Sequence, residues 1–86
     1  MTRTEFKKLK KAKFKTALNK KGLMLIDGDL INLNDEILVV ISEPYKHCGS
    51  DCIDLSEPIY NYEGEITGVE NTSRYSYTEL EKATVC

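Results

Sequence analysis

The sequence predicts an α+β fold: an N-terminal helix packed on a small antiparallel sheet or partial barrel of five to six short strands. The prediction depends on one stretch with a helical period, at residues 2–21, followed only by short apolar runs between turn signals. A chain of 86 residues is expected to form a single domain over residues 1–86. We divide it into a basic N-terminal helix (1–22) and an acidic, β-rich body (23–86).

The helix prediction begins at a capping box, Thr2-x-x-Glu5, in which each side chain bonds to an orphan amide of the first turn. Gly22 follows the last helical position and is the residue type expected just past a helix end. Lys20 and Lys21 would sit favourably at the negative end of the helix dipole. One broad helical face would carry the apolar residues Phe6, Leu9, Phe14 and Ala17.

The rest of the chain is organised around residues 23–42, which read as three strands. Leu23–Ile26 is closed by Asp27-Gly28, a dipeptide that favours a type I′ hairpin turn. A second strand, Leu30–Leu33, is closed by Asn34-Asp35. Residues 37–41 then form an uninterrupted β-branched run, which predicts a central strand buried on both faces.

Beyond residue 42 the pattern predicts a loop and then short strands. Residues 45–56 are predicted as a loop, with a brief alternation at 53–55. Later strands are expected at 59–62, 65–70 and 74–77, separated by turns at Glu63-Gly64 and at 71–73. Tyr75 and Tyr77 should share one face. Residues 78–84 fit either a short helical turn or a terminal strand.

The cysteines predict no metal site. Cys48, Cys52 and Cys86 are an odd number, which disfavours a disulfide framework and suits a reducing compartment. His47 stands beside the first of them, but the Cys-x₃-Cys spacing and the single histidine give a poor match to a zinc site. We expect no metal and no cofactor, and the sequence assigns the cysteines no role. With no signal peptide and no long apolar run, a cytoplasmic protein without membrane contact is predicted.

Charge divides the chain more sharply than its net value of −2 suggests. Residues 1–24 hold nine basic side chains and one acidic one, a local balance of +8. Residues 25–86 hold three basic and thirteen acidic side chains, a local balance of −10. Such asymmetry indicates interaction surfaces, and the alternative is that the two halves neutralise each other within the fold.

Motifs for catalysis are absent from the sequence. There is no glycine-rich phosphate loop, no nucleophile elbow and no EF-hand ligand order. The sequence therefore predicts a non-enzymatic protein.

The lysine-rich start, the excess of carboxylates from Asp27 to Glu81 and the small size resemble the early host-takeover proteins of bacteriophages. Some of those are DNA-mimic inhibitors, including inhibitors of the host histone-like protein HU. The resemblance implies an acidic face that occupies the DNA-binding surface of a host protein, in the cytoplasm or nucleoid. The basic start departs from the uniformly acidic mimics. The candidate partner-binding residues are Asp51, Asp54, Glu57, Tyr60, Tyr62, Glu63, Glu65 and Glu70.

Two alternatives stay open. The basic helix would be a nucleic-acid-binding element that releases counterions from phosphates. Its candidate residues are Lys7, Lys8, Lys10, Lys11, Lys13 and Lys15. Direct nucleic-acid binding is the weaker hypothesis, because an acidic body repels the same phosphates. The second alternative is an anionic small-ligand site at the interface of a homodimer, which would add apolar burial to a small domain.

Overall fold

The computed structural model describes residues 1–16 and 22–86. The fold is α+β, but it is mostly antiparallel sheet with one short N-terminal helix, and the described residues hold eight strands where five to six were predicted. In chain order the elements are α1 (Arg3–Lys7), β1 (Lys13–Thr16), β2 (Leu23–Asp27), β3 (Leu30–Leu33), β4 (Glu36–Val40), β5 (Tyr45–His47), β6 (Ser50–Tyr60), β7 (Ile66–Ser76), a 3₁₀ helix (Thr78–Leu80) and β8 (Thr84–Val85).

The described strands form two sheets. β1 and β2 make a two-stranded sheet, and the other six make a sheet in the order β5–β6–β4–β3–β8, with β7 also paired to β6. β7 pairs with β6 from Cys52 to Tyr60, whereas β4 pairs at Leu55 and Ser56 and β5 near Cys52. Because Cys52 and Leu55 each have partners in two strands, β4 and β5 must share the edge of β6 opposite β7.

The predicted central strand is confirmed. β4 lies between β3 and β6, and Leu38, Val39 and Val40 are all buried. Side chains alternate across a strand, so Leu38 and Val40 face the main core while Val39 faces the other side. The main core consists of Phe6, Leu9, Ile31, Leu38, Val40, Ile53, Leu55, Leu80 and Ala83.

The N-terminal helix is much shorter than predicted. The capping box of Thr2 and Glu5 is present, but α1 ends at Lys7, and residues 13–16 form β1 instead. The predicted helix over residues 2–21 is therefore wrong for residues 8–16, and its last five residues, 17–21, lie outside the described residues. Pairing of β1 with the apolar β2 overrides the helical period, since a helix gains most of its stability from packing.

The predicted hairpin turn at Asp27-Gly28 is also wrong. β2 pairs with β1, and β3 pairs with β4, so residues 27–28 connect two sheets. The turn predicted at Asn34-Asp35 is confirmed, and it is this one that joins paired strands: φ is 52° and 65°, as a type I′ turn requires.

The predicted loop over residues 45–56 is a hairpin in the structure. β5 and β6 are joined by Cys48-Gly49, with φ of 51° and 79°. Cysteine is an uncommon residue in the left-handed region, so Cys48-Gly49 does not match the dipeptides that usually predict a hairpin turn.

The interruptions predicted within the later strands are wrong as well. β6 continues through Pro58, which lies beyond the last residue that pairs with β4. β7 continues through the predicted turn at 71–73, where Asn71 has φ of 56° and the register shifts. This is a β-bulge, an extra residue that bends the strand without ending it.

The chain ends lie close together at the core. The N-terminal ammonium of Met1 donates to the carbonyls of Glu81 and Ala83, both at 2.7 Å.

Phe6 packs edge to face against Tyr77, with 5.5 Å between ring centroids. Tyr75 also packs on the core, so the predicted shared face of the two tyrosines is confirmed. Residues 78–85 combine both predicted alternatives, a 3₁₀ turn and a terminal strand.

Replacing Val39 by aspartate should unfold the domain or leave it aggregated. Val39 is 0% exposed, so the carboxylate would be buried without a partner. The cost is about 3 kcal/mol or more, against a total stability of about 5–10 kcal/mol for a domain of this size. Thermal unfolding followed by circular dichroism measures the effect. Thr84→Asp, at an exposed strand position, is the control, and an unchanged melting curve for Val39→Asp would contradict the assignment of β4 to the centre.

Candidate functional site

The distal part of the β6–β7 hairpin, residues 57–70, is the first candidate site, and we call it the acidic hairpin. Its sequence holds four carboxylates, Glu57, Glu63, Glu65 and Glu70, and no lysine or arginine. It includes six of the eight residues predicted to bind a partner. The two strands carry these residues at fixed register, so the array is preorganised.

Two carboxylates of the acidic hairpin stand directly opposite each other. Glu57 on β6 is the register partner of Glu70 on β7. Like charges in opposite positions of a sheet destabilise it. The Asn71 amide donates to the Glu57 carboxylate at 2.7 Å and relieves part of this repulsion, but it supplies no positive charge.

Large apolar side chains are exposed in the same hairpin as these carboxylates. Tyr62 is 96% exposed, Tyr60 52% and Ile59 39%. Ile59 was not among the predicted contacts, because a single isoleucine after Pro58 reads as an ordinary strand residue. Aromatic residues such as these two tyrosines are enriched in protein interfaces relative to the rest of the surface.

Asn61 holds the tip of the acidic hairpin in one conformation. Its side-chain oxygen accepts from the backbone amides of Glu63 (2.9 Å) and Glu65 (3.0 Å). The backbone amide of Asn61 donates to the backbone carbonyl of Glu65 at 2.9 Å. The turn predicted at Glu63-Gly64 is therefore confirmed, and it places Tyr62 on a rigid support.

Asp51 and Asp54, the other two predicted contacts, lie at the base of β6 and have internal partners. Asp51 accepts from Lys46 (2.9 Å) and Arg3 (2.7 Å), and the hydrogen bond from Lys46 is the main cause that lowers the pKa of its carboxyl. Asp54 accepts from the Tyr45 hydroxyl at 2.5 Å, a bond that raises the pKa of that phenol. Both aspartates are half-buried, as are Glu57 and Glu65. The exposed members of the predicted set all lie in the acidic hairpin: Tyr60, Tyr62, Glu63 and Glu70.

A broad cleft of about 720 Å³ is the second candidate site, and no sequence pattern pointed to it. It lies between the N-terminal segment and the start of β5, elements that are far apart in the chain. Its lining residues are Phe6, Lys7, Leu9, Lys10, Lys11, Lys13, Asp27, Glu43, Pro44, Tyr45, Lys46 and Asp51. Of the lysines predicted for nucleic-acid binding, Lys7, Lys10, Lys11 and Lys13 line the cleft, whereas Lys8 and Lys15 do not.

Backbone hydrogen bonds fix the segment that presents these lysines. The Ala12 amide donates to the carbonyl of Val40 at 2.7 Å, and the Asp29 amide donates to the carbonyl of Lys10 at 3.1 Å. The Asp29 carboxylate accepts from the Lys10 amide at 2.6 Å. Gly28 lies where the chain passes close to Ala12. A Cβ atom on Gly28 would lie 2.5 Å from the Ala12 Cα, so only glycine fits there.

The residues considered for zinc are not brought together as a ligand set. His47 and Cys48 are exposed at the β5–β6 turn, while Cys52 is buried in β6. Among the described residues, no group of three or more histidine, cysteine, aspartate or glutamate side chains could hold a metal ion. That the protein needs no metal stays a prediction.

Comparison with models of protein families, with curated proteins and with solved structures found no match. In the described part of the chain, no helix has the length and apolar character needed to cross a membrane.

Acid should destabilise the protein partly through Asp51. Its folded pKa is lowered, so the stability it contributes is present above its unfolded pKa and is lost as pH falls below about 4. Asp51→Asn should flatten the fall of Tm between pH 5 and pH 2 relative to the parent. Removing both cations with Arg3→Met and Lys46→Met should flatten it similarly. An Asp51→Asn variant with the parent's full acid sensitivity would show that this network contributes nothing.

Gly28→Ala should destabilise the protein more than Gly22→Ala. The two glycines have similar φ, 122° and 133°, but an added Cβ meets Ala12 only at Gly28 and nothing within 4 Å at Gly22. The clash should add about 2 kcal/mol, or roughly 10 °C in Tm. Equal losses in the two variants would mean that backbone conformation, and not the close crossing, determines the effect.

Proposed function

We propose that this chain is a non-enzymatic interaction protein whose acidic hairpin occupies the DNA-binding surface of a host protein in competition with DNA. The observation that carries the proposal is the opposed pair Glu57 and Glu70, two like charges placed together in a hairpin that also exposes Ile59, Tyr60 and Tyr62. A basic partner would relieve the repulsion, and a partner on the same face would also cover Ile59, which alternation along β6 places on the side of Glu57.

Electrostatics and burial have separate roles in this proposal. Carboxylates at fixed spacing present the kind of negative array that a basic DNA-binding groove recognises, and they accelerate encounter. Tyr62 and Tyr60 supply apolar area that rigid aromatic anchors bury at small entropic cost. Binding that relies on charge should weaken as salt shortens the Debye length, from about 10 Å at 0.1 M to about 3 Å at 1 M.

The alternative function, nucleic-acid binding by a basic helix, has lost the element on which it depended. α1 has five residues, too few to fill a major groove, and Lys13 and Lys15 lie on the strand β1. Four of the lysines, with their charge, line the cleft instead: Lys7, Lys10, Lys11 and Lys13. A homodimer, a cytoplasmic location and the absence of a cofactor stay predictions.

Reversing the opposed charges tests the proposal. Glu57→Lys with Glu70→Lys should weaken binding to a basic DNA-binding protein, with HU as the probe, by at least tenfold. The readout is displacement of a fluorescently labelled duplex from HU, followed by anisotropy at 50, 150 and 300 mM salt. The parent should displace DNA, and less effectively as salt rises.

The matched control makes the same change in net charge elsewhere. Glu36→Lys with Glu81→Lys alters two exposed carboxylates outside the acidic hairpin. It should retain at least half of the parent's displacing activity. If both double variants lose activity equally, net charge alone acts and the hairpin site is wrong. If the parent never displaces DNA from HU or from other basic DNA-binding proteins, the proposed function fails.

A further inference from the structure

In the cleft between the N-terminal segment and β5, the lysine side chains outnumber the carboxylates that could neutralise them. Five lysines line it, Lys7, Lys10, Lys11, Lys13 and Lys46, against three carboxylates. Asp51 already has two cationic partners, Lys46 and Arg3. Asp27 and Glu43 are the other two carboxylates that line the cleft. In the described part of the chain, Lys7, Lys10, Lys11 and Lys13 form no ion pair, so four ammonium groups stand against these two carboxylates.

The cleft also has an apolar part, and one aromatic ring in it is held by hydrogen bonds. Its apolar lining residues are Phe6 and Leu9, which are buried in the core, and Pro44 and Tyr45. The Tyr45 ring cannot turn freely, because its hydroxyl donates to Asp54 and accepts from the Arg74 guanidinium at 3.1 Å. A fixed aromatic ring beside lysines offers one surface for a flat ring and another for anionic groups.

We infer that this cleft binds a nucleoside carrying two or more phosphates, either as a free nucleotide or as part of a single strand. Lysine ammonium groups bind phosphate as point charges, and several of them are needed to replace its hydration. The volume of about 720 Å³ lies in the range of small-molecule sites, about 300–1,000 Å³, and suits a ligand of nucleotide size. The cleft belongs to one chain, so it needs no dimer, and it is separate from the acidic hairpin.

Four probes distinguish the parts of the ligand. ATP, pyrophosphate, adenosine and a 5′-phosphorylated octathymidylate are titrated into the full chain at 50 mM salt by calorimetry and by amide chemical shifts. ATP should bind at least fivefold more tightly than pyrophosphate, and adenosine more weakly than either. Preference for ATP over the octanucleotide would assign a free nucleotide, and the reverse preference would assign a strand.

The variant Lys11→Gln with Lys13→Gln should weaken ATP binding at least tenfold. Both side chains are exposed, so the fold is retained, which the amide spectrum verifies. Lys8→Gln with Lys82→Gln removes the same charge outside the cleft and should change the affinity less than twofold. Glu57→Lys with Glu70→Lys should leave ATP binding unchanged, which separates this inference from the proposed function.

Three results would overturn the inference. The first is no binding of ATP, pyrophosphate or the octanucleotide at 5 mM. The second is equal weakening in the cleft variant and the Lys8 and Lys82 control, which would indicate unspecific charge attraction. The third is self-association at low salt that the cleft variant abolishes, because the cleft would then hold the acidic hairpin of a second copy.

Discussion

Hydrogen bonding along both edges of β6 is the constraint on which the rest of the structure depends. β7 occupies one edge from Cys52 to Tyr60, while β4 and β5 share the other and pair no further than Ser56. The first half of β6 is therefore built into the core through Ile53 and Leu55. The second half is paired with β7 alone and carries the acidic hairpin, so one strand connects a fixed core to the candidate partner surface.

The division of charge has two different physical consequences. At the base of β6, Asp51 joins Arg3 from the basic segment to the acidic body, so part of the charge does neutralise within the fold. At Glu57 and Glu70 the register instead places like charges together, an arrangement that opposes folding. Internal neutralisation explains the first arrangement but not the second, and this difference supports an external partner for the acidic hairpin.

The sequence predicted those elements whose signals are local. The capping box, the buried β4 and the turn at Glu63-Gly64 each follow from neighbouring residues. It failed where tertiary pairing overrides local preference, as in β1, and where a turn uses an uncharacteristic residue, as at Cys48. Six predicted contacts share the acidic hairpin, but the cleft combines residues from distant segments, and no spacing in the chain reveals it.

A titration of the ¹⁵N-labelled protein with unlabelled HU, followed by amide chemical shifts, tests the central claim most directly. We expect the largest shift changes at residues 57–70 and smaller ones at Lys7–Lys15. The amide signals should return to their positions in the free protein when duplex DNA is added in excess. Shifts confined to Lys7–Lys15, or shifts at residues 57–70 that excess DNA does not reverse, would contradict it.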